Sequence, residues 1–399
     1  MTSVNWRRNL WILLFGTFIT GTAFNEVIPF MSLYIIQLGR FSRGQLSILS
    51  GIVYAASFFV VALTAPMWGR FADRHGRKWM ILQTSLGSAI VIALMGVVTN
   101  VWQFIFLRTL QGFFDGVIPN SIALVATETP KKHSEYALSI LSTGYVSGFL
   151  IGPIFGGLLV HIFSIRLTFF ITGILLLGFF LLSSLLVHEN FHPSQAALKS
   201  HFHWNFMKGF PHPHLVGWML LTTVIVQTGI NAVFPIITLF VKQLMHNHGP
   251  ISVVAGLVAA LPGISMVMTS PEIGKYGDHH GTHVVMTIGM LFVVLCYFPQ
   301  GAAAGVWTLG LFRFLNGIGN AAIFPSIQTF LAKGTPASQT GMAFSLNQGA
   351  QAIGAVLGAI AGGLLSDWLN YNFTFYLAGI IILINWLLLK WKVPELKRY

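Results

Sequence analysis

Charged side chains are scarce in this chain. They make up 8% of its 399 residues, whereas 55% of the residues are hydrophobic and the mean hydropathy is +0.74. A soluble protein of this length cannot bury so much apolar surface. The composition therefore excludes a soluble globular protein and predicts one embedded in a membrane.

Cysteine and the usual catalytic motifs are also lacking. Cys296 is the only cysteine, so an internal disulfide is excluded, and the 14 histidines lie mainly in loops at spacings that match no metal site. The chain has no Gly-x-x-x-x-Gly-Lys-Ser/Thr phosphate loop and no nucleophile–base pattern. We expect no enzyme activity, no catalytic residues, no metal and no cofactor.

Apolar runs of about 20 residues, the length that crosses a bilayer, recur along the whole chain. In lipid such runs must be helices, because only a helix pairs its own backbone groups. The first run is too long for a signal peptide, so we expect it to be retained. The predicted spans are 10–38, 46–69, 79–98, 101–127, 136–161, 166–188, 214–242, 251–274, 283–302, 305–332, 340–364 and 372–391. The polar segment 189–213 is predicted to be a cytoplasmic linker.

The basic residues are unevenly distributed among the loops. If the N-terminus is cytoplasmic, sixteen of the 22 Lys and Arg residues fall in inner segments, four in outer segments and two within spans. This is the positive-inside bias. The net charge of +12 therefore indicates orientation and contact with anionic lipid headgroups rather than nucleic-acid binding, and we expect both termini to be cytoplasmic.

Four patterns recur in the same order after 205 or 206 residues. They are Gly69…Asp73…Gly76 with Gly274…Asp278…Gly281, Arg108…Gly112 with Arg313…Gly317, Gly148…Gly152…Gly156 with Gly354…Gly358…Gly362, and Asn25…Pro29 with Asn231…Pro235. One offset shared by four patterns indicates a duplication, and parallel repeats are a known transporter plan. The predicted fold is an all-α polytopic membrane protein with twelve transmembrane helices in two pseudo-symmetric six-helix bundles, 1–188 and 214–399, around a central cavity.

The repeated glycines of spans 5 and 11 lie four residues apart, so each set lines one helix face and admits a close neighbour. Tight packing is one interpretation of Gly148, Gly152, Gly156, Gly354 and Gly358. The other is that these helices form a seam at which the halves rock, with a bend at Pro153.

The first charged turn is a candidate gate. Its members, with the matching acid of the second turn and one further acid, are Gly69, Asp73, Arg74, Gly76, Arg77, Asp278 and Glu128. The basic residues could simply anchor at headgroups. Alternatively, Asp73 caps a neighbouring helix N-terminus and Arg74 or Arg77 pairs with Glu128, so that the cluster latches one face shut.

Charges within spans are the strongest functional signal, because each costs about 2.5–3.5 kcal/mol at mid-membrane unless it is paired or hydrated. Arg108 and Arg313 are duplicated, whereas Glu26 aligns with Ala232 and Asp115 with Asn320. One interpretation is a buried Asp115–Arg108 ion pair. The other is a protonation site, since burial disfavours a charged carboxylate; Glu26 is the first candidate for proton coupling, Asp115 the second.

Polar residues at helix depth are candidates to line the cavity. They are Asn25, Gln111, Gln227, Asn231, Asn316, Asn320 and Asn347, together with Glu26, Asp115 and Arg313. Some of them will only form hydrogen bonds between helices. Most aromatic residues, at 14% of the chain, will pack or face lipid, and a few could form a wall suited to flat cations.

At these motifs the chain resembles the major facilitator superfamily. The turn Gly69 to Lys78, Arg108-Thr-Leu-Gln-Gly112 and Gly148 to Gly157 look like the motifs of its twelve-helix drug–proton antiporter family, closest to bacterial efflux proteins of the PmrA and MdtG type. The resemblance implies that Gly152 and Pro153 set antiport direction, that Arg108 takes part in proton transfer, and that Asp73 and Arg77 take part in gating.

The resulting hypothesis is a proton-coupled antiporter of the bacterial cytoplasmic membrane that exports small amphipathic or cationic compounds by alternating access. Its partners would be the substrate, protons and lipid, and the expected state is a monomer driven by the proton gradient. A lipid or glycolipid flippase and a single-metabolite exporter remain alternatives within transport. A sensor that binds its ligand without moving it is the alternative from another class.

Overall fold

The computed structural model describes residues 5–191, 211–335 and 340–393, and all regular structure within them is helical. The helices are α1 Trp6–Glu26, α2 Met31–Leu38, α3 Arg43–His75, α4 Arg77–Met95, α5 Val101–Phe113, α6 Val117–Glu128, α7 Ser134–Ile162, α8 Ile165–Leu186, α9 Pro213–Val233, α10 Ile237–Leu244, α11 Ile251–His280, α12 Thr282–Gly301, α13 Val306–Gly334, α14 Thr340–Trp368 and α15 Tyr371–Lys392.

The helices account for twelve membrane spans. Within the described residues, ten helical segments are long and apolar enough to cross a membrane. The other two predicted spans are formed by α5 with α6 and by α13. The first of these is divided, since α5 has 13 residues and α6 has 12. The twelve-helix class predicted from the sequence is confirmed.

The contacts divide the chain into two units. Unit 1 comprises Met1–Gly39 and Ala56–Phe202, and unit 2 comprises Arg40–Ala55 and His203–Tyr399. In unit 1, α1 packs on α6, α7 and α8, and α4 packs on α5, α6 and α8. In unit 2, α9 packs on α13, α14 and α15, and α12 packs on α11, α13 and α15. Helix α3 contributes to both units, and the predicted bundle bounds of 1–188 and 214–399 stay a prediction.

The first span of each unit is interrupted at a matching proline. Helix α1 passes into α2 through the 3-10 turn Ile28–Phe30, and α9 passes into α10 through Phe234–Ile236. Pro29 and Pro235 are the second residues of these turns. Because proline lacks the N–H that an α-helix needs, it favours an interruption there. The duplication is therefore visible in the backbone as well as in the sequence.

The glycines of α7 and α14 make equivalent contacts in the two units. Gly152 lies against the backbone of Thr22 on α1, and Gly358 lies against the backbone of Thr228 on α9, 206 residues later in both cases. A Cβ at Gly358 would overlap the Thr228 carbonyl oxygen. Close approach of α7 to α1 and of α14 to α9 therefore requires glycine. A further role of these helices as a seam between the halves stays a prediction.

The two units differ at the span that α5 and α6 form. Residues 114–116 interrupt it, whereas α13 runs through the corresponding positions 319–321 without a break. Two carbonyls at the interruption are satisfied by side chains, since Trp68 Nε1 donates to the Phe113 oxygen at 2.7 Å and Ser88 Oγ to the Phe114 oxygen at 3.1 Å. An interruption at membrane depth is tolerated when such partners exist.

We predict that Gly358→Ala lowers the apparent melting temperature of the purified protein by about 3–10 °C, because a methyl forced into a packed contact costs roughly 1–3 kcal/mol. Gly349→Ala on the same helix is the matched control, since an added Cβ there meets no atom within 4 Å. The control should leave the melting temperature unchanged or raise it slightly, because alanine favours helix. Equal shifts in both variants would refute a special contact at Gly358.

Candidate functional site

Glu26 is a buried carboxylate at the C-terminal end of α1. Its side chain is 1% exposed and accepts a hydrogen bond from the Thr172 hydroxyl on α8. Among the described residues, no cationic side chain forms an ion pair with it. A buried carboxylate without a cation is costly in its charged form. Glu26 therefore has the environment that a proton-accepting group in a membrane span needs.

Asp115 lies in the interruption between α5 and α6 and is half-buried. It forms no ion pair within the part of the chain that the structure describes. The guanidinium of Arg108 instead donates to the Gln111 side chain and, over 2.9 Å, to the Ser57 hydroxyl on α3. The predicted alternative of an Arg108–Asp115 ion pair is therefore wrong for the described residues.

The polar candidates of unit 2 form three small groups. On α9, Asn231 donates to the Gln227 carbonyl oxygen at 2.7 Å and accepts from the Tyr54 hydroxyl at 2.7 Å. On α13, the Asn320 amide donates to Asn316 Oδ1 at 3.1 Å. The third group is the pair in which the Thr223 hydroxyl donates to Asn347 Oδ1 at 2.7 Å. These bonds account for part of the polar set as contacts between or within helices.

Asn25 of unit 1 is bonded within its own helix. Its amide donates to the Gly21 carbonyl oxygen at 2.8 Å, in the same i to i−4 pattern as the bond from Asn231 to the Gln227 carbonyl oxygen. The two asparagines are 206 residues apart. The repeat therefore preserves this local bond, and among the described residues a tyrosine partner is found for Asn231 and not for Asn25.

Two residues shortly after α8, Glu189 and Asn190, form hydrogen bonds with parts of the candidate gate. The backbone N–H groups of Arg77 and Lys78, at the start of α4, donate to the Glu189 carboxylate at 2.8 and 2.7 Å. The Glu128 carboxylate accepts from the Asn190 N–H at 2.8 Å. Gly76 precedes α4 with φ +99°, a conformation that favours glycine. Glu189 thus caps the N-terminus of α4, where a negative charge is stabilising.

The rest of the gate prediction is not decided by these contacts. The side chains of Asp73 and Asp278 and the surroundings of Gly69 lie outside the described residues. The predicted pairing of Arg74 or Arg77 with Glu128 stays a prediction. Within the described part, both Glu128 and the start of α4 bond to one segment, residues 189–190.

Sequence reasoning did not find the partners of these candidates. Thr172, Ser57, Tyr54 and Glu189 supply hydrogen bonds to Glu26, Arg108, Asn231 and the start of α4. A hydroxyl within an apolar span was an available signal for Thr172, and an acid directly after a span was one for Glu189. Neither signal identifies the partner.

The comparison with protein families gives one assignment for the whole chain. A family model described as Major Facilitator Superfamily matches residues 13–254 and 219–398. The multidrug resistance protein MdtG of Salmonella arizonae is 38% identical over 382 residues, covering 96% of this chain and 94% of that protein. MdtG of Escherichia fergusonii is 38% identical over 383 residues with the same coverage. The expected likeness to efflux proteins of the MdtG type is confirmed.

Solved structures with the same fold are distant in sequence. A bacterial homologue of the human lysosomal transporter Spinster has a TM-score of 0.78 at 13% identity and covers 95% of this chain and 94% of its own. The nucleoside transporter NupG has a TM-score of 0.76 at 14% identity and covers 99% and 100%. At these identities the likeness concerns the fold alone.

We predict that Glu189→Ala speeds amide hydrogen exchange at Arg77 and Lys78 by about fivefold, because a helix cap is worth roughly 1 kcal/mol. Hydrogen exchange with mass spectrometry on peptides covering residues 74–80 measures this. Glu272→Ala is the matched control, since Glu272 is 75% exposed and pairs only locally with Lys275. Unchanged exchange at the start of α4 in Glu189→Ala would contradict the cap.

Proposed function

The chain belongs to the Major Facilitator Superfamily, and we propose that it is a multidrug exporter that moves small amphipathic or cationic compounds out of the cell in exchange for protons. Relatives named as multidrug resistance proteins, 38% identical over nearly the whole chain, support this assignment. Alternating access is the proposed mode of transport. The single observation that carries proton coupling is the buried Glu26 carboxylate without a cationic partner in the described residues.

Glu26 is placed where its protonation can affect helix packing. Its carbonyl oxygen lies against Gly156 of α7, while its carboxylate accepts from Thr172 of α8. Glu26 therefore carries both a proton-accepting carboxylate and a backbone oxygen at a close contact between α1 and α7. Charging or neutralising the carboxylate changes the free energy of this contact, and a difference of that kind between two states is what couples a ligand to a conformational change.

Asp115 and Arg108 complete the proposed proton-coupling set. Asp115 stands in a broken span, and broken helices at membrane depth commonly carry the substrate and ion sites of transporters. Arg108 is fixed by Gln111 and Ser57, so its positive charge has a defined position in unit 1. The polar residues predicted to line the cavity are retained as proposed substrate contacts.

Gating is proposed at the end of unit 1 where Glu189 and Glu128 bond to their partners. In this proposal these bonds break and re-form as that face opens and closes, and the face is cytoplasmic, as are both termini. The protein acts as a monomer in a bacterial cytoplasmic membrane and needs neither a cofactor nor an enzymatic step. The energy comes from the proton gradient.

We predict that Glu26→Gln abolishes the pH-driven component of ethidium efflux, because the amide cannot take up and release a proton. Ethidium would be followed by fluorescence in proteoliposomes under an imposed pH gradient, with Asp115→Asn run in parallel. Glu272→Gln, at an exposed glutamate, is the control and should transport like the wild type. Downhill exchange of ethidium without a gradient should survive in Glu26→Gln.

Each other outcome has a distinct meaning. Loss of the pH-driven component in Asp115→Asn alone would assign coupling to the broken span instead of to α1. Full pH-driven efflux in both variants would refute a proton-coupling role for both acids and would favour such a role for Arg108 and its partners. No ethidium efflux by well-folded wild type would contradict a broad exporter and favour a single-metabolite exporter or a lipid flippase, and binding without any flux would indicate a sensor.

A further inference from the structure

Arg313 on α13 is a buried cation that the described residues do not neutralise. Its side chain is 2% exposed and its Nε is buried without a hydrogen-bond partner. Among the side chains and carbonyls that the structure describes, none accepts a hydrogen bond from it and no acid pairs with it. An unpaired charge in such a place costs several kcal/mol. Arg313 therefore needs a functional explanation.

Arg108, the matching arginine of unit 1, has hydrogen-bond acceptors that Arg313 lacks among the described residues. Gly112, four residues after Arg108, lies against the Ser57 carbonyl oxygen, and Gly317, four after Arg313, lies against that of Pro262. Pro262 thus stands in unit 2 where Ser57 stands in unit 1. The Ser57 hydroxyl accepts from Arg108 at 2.9 Å, and proline has no hydroxyl to offer.

The second partner of Arg108 is also replaced. Gln111 accepts from Arg108, and the residue 205 positions later is Asn316. The Asn316 side-chain oxygen accepts from Asn320 at 3.1 Å and not from Arg313. Neither bond that fixes Arg108 therefore has a counterpart at Arg313. The duplication kept the charge of this arginine but not its acceptors.

Two further hydrogen-bond donors beside Arg313 also lack partners. Asn316 is 1% exposed and its Nδ2 is unpartnered, and Tyr297 is 0% exposed and its hydroxyl is unpartnered among the described residues. Asn316 follows Arg313 by three positions and so shares its helix face. Two amide oxygens of the same helices, Gln300 Oε1 and Asn320 Oδ1, are also unpartnered. The three donors include the guanidinium, whose positive charge favours a negatively charged acceptor over a neutral one.

Tyr297 is level with Arg313 along the helices. Helix α12 runs antiparallel to α13, with Gln300 Nε2 donating to the Phe312 carbonyl oxygen at 3.3 Å and Gly319 against Val293. Tyr297 lies between these two contacts, which puts it beside residues 313–318.

An aromatic surface adjoins the guanidinium. The Cζ atom of Arg313 lies 5.8 Å from the centroid of the Phe234 ring, a distance at which a cation and a ring attract each other. The Tyr54 ring stacks on the Phe234 ring, with the ring centroids 6.3 Å apart and an angle of 13° between the ring planes. A ligand with an apolar aromatic body and a negatively charged head would match both parts of this surface.

The acids of unit 2 offer no internal alternative among the described residues. Glu272 is bonded to Lys275 at 2.8 Å and is exposed. Asp367 is exposed near the end of α14. Neither forms an ion pair with Arg313.

We propose that Arg313, Asn316 and Tyr297 bind the carboxylate or sulfonate group of an exported amphipathic anion. A guanidinium presents paired donors that match such a group in geometry as well as in charge. The inference rests on the proposed function, to which it adds a second substrate class beside amphipathic cations. It assigns opposite tasks to the two units, with the proton-accepting acids in unit 1 and the anion site in unit 2.

The test compares two xanthene dyes of similar shape and opposite charge, anionic carboxyfluorescein and cationic tetramethylrhodamine methyl ester. Binding to the full chain in lipid nanodiscs is measured by fluorescence anisotropy, and transport in proteoliposomes under a pH gradient. Arg313→Gln should weaken binding and transport of carboxyfluorescein by about tenfold or more, as expected for a lost charge-assisted contact. Because the same change removes a positive charge that repels a bound cation, it should not weaken binding of the rhodamine ester, and the ratio of carboxyfluorescein to rhodamine ester bound should fall by at least tenfold.

Two further variants keep the test decisive. Arg166→Gln makes the same replacement at an exposed arginine of unit 1 and should leave both dyes unchanged. Tyr297→Phe removes one hydroxyl and keeps the ring, so it should fold even if Arg313→Gln does not. It should weaken carboxyfluorescein binding by about threefold or more, the value of one hydrogen bond, without affecting the rhodamine ester.

The outcomes separate this inference from the proposed function. Wild type that transports the rhodamine ester but does not bind carboxyfluorescein would overturn the anion site and leave the exporter in place. Wild type that binds carboxyfluorescein through Arg313 but transports neither dye would support the site and count against the exporter. An equal loss of both dyes in Arg313→Gln and Tyr297→Phe would assign these residues a structural role only.

Discussion

Every polar group that this chain places at membrane depth has to find its partner inside the protein, because lipid offers none. Where the helix is interrupted between α5 and α6, exposed backbone carbonyls do find side-chain donors. Trp68 and Ser88 donate to the carbonyls exposed between α5 and α6. The constraint is met less completely at a few charged groups, where Glu26 has only a hydroxyl donor and Arg313 has no acceptor in the described residues. Both of these charged groups are residues to which a transport role is assigned. Other buried side-chain atoms without a partner in the described residues include neutral hydroxyls such as those of Thr20 and Ser121, whose burial costs less than that of a charge.

The duplication makes those departures easier to recognise. Equivalent glycines hold α7 to α1 and α14 to α9 at positions 206 residues apart, so the packing of the two units follows one pattern. Against that shared pattern, the differences are few and local. Glu26 is replaced by Ala232, Ser57 by Pro262, and the broken span by the continuous α13. A feature required for folding would be expected in both copies, and these are present in one.

Much of this architecture could be predicted from the sequence, and the reason is periodicity. Apolar runs of bilayer length gave the spans, and glycines spaced by four gave the close helix contacts before any neighbour was known. Hydrogen-bond partners could not be predicted in this way. Ser57 and Arg108 are 51 positions apart, and Thr172 and Glu26 are 146 apart. Such pairs depend on how each helix is rotated about its axis, which a hydropathy pattern does not fix.

The capping of α4 illustrates the same limit on a shorter scale. The charged turn carries its own acid, Asp73, and the prediction that it caps a neighbouring helix stays a prediction, because its side chain lies outside the described residues. In the structure the first amides of α4 bond to Glu189, 111 and 112 positions away, beyond the end of α8. Because Glu189 follows α8, its hydrogen bonds connect the start of α4 to the end of α8, which an acid within the turn before α4 would not do. Loss of these bonds would remove a contact of both helices. A junction of this kind can respond to movement of either helix, which is the property that a gate between two states of a transporter requires.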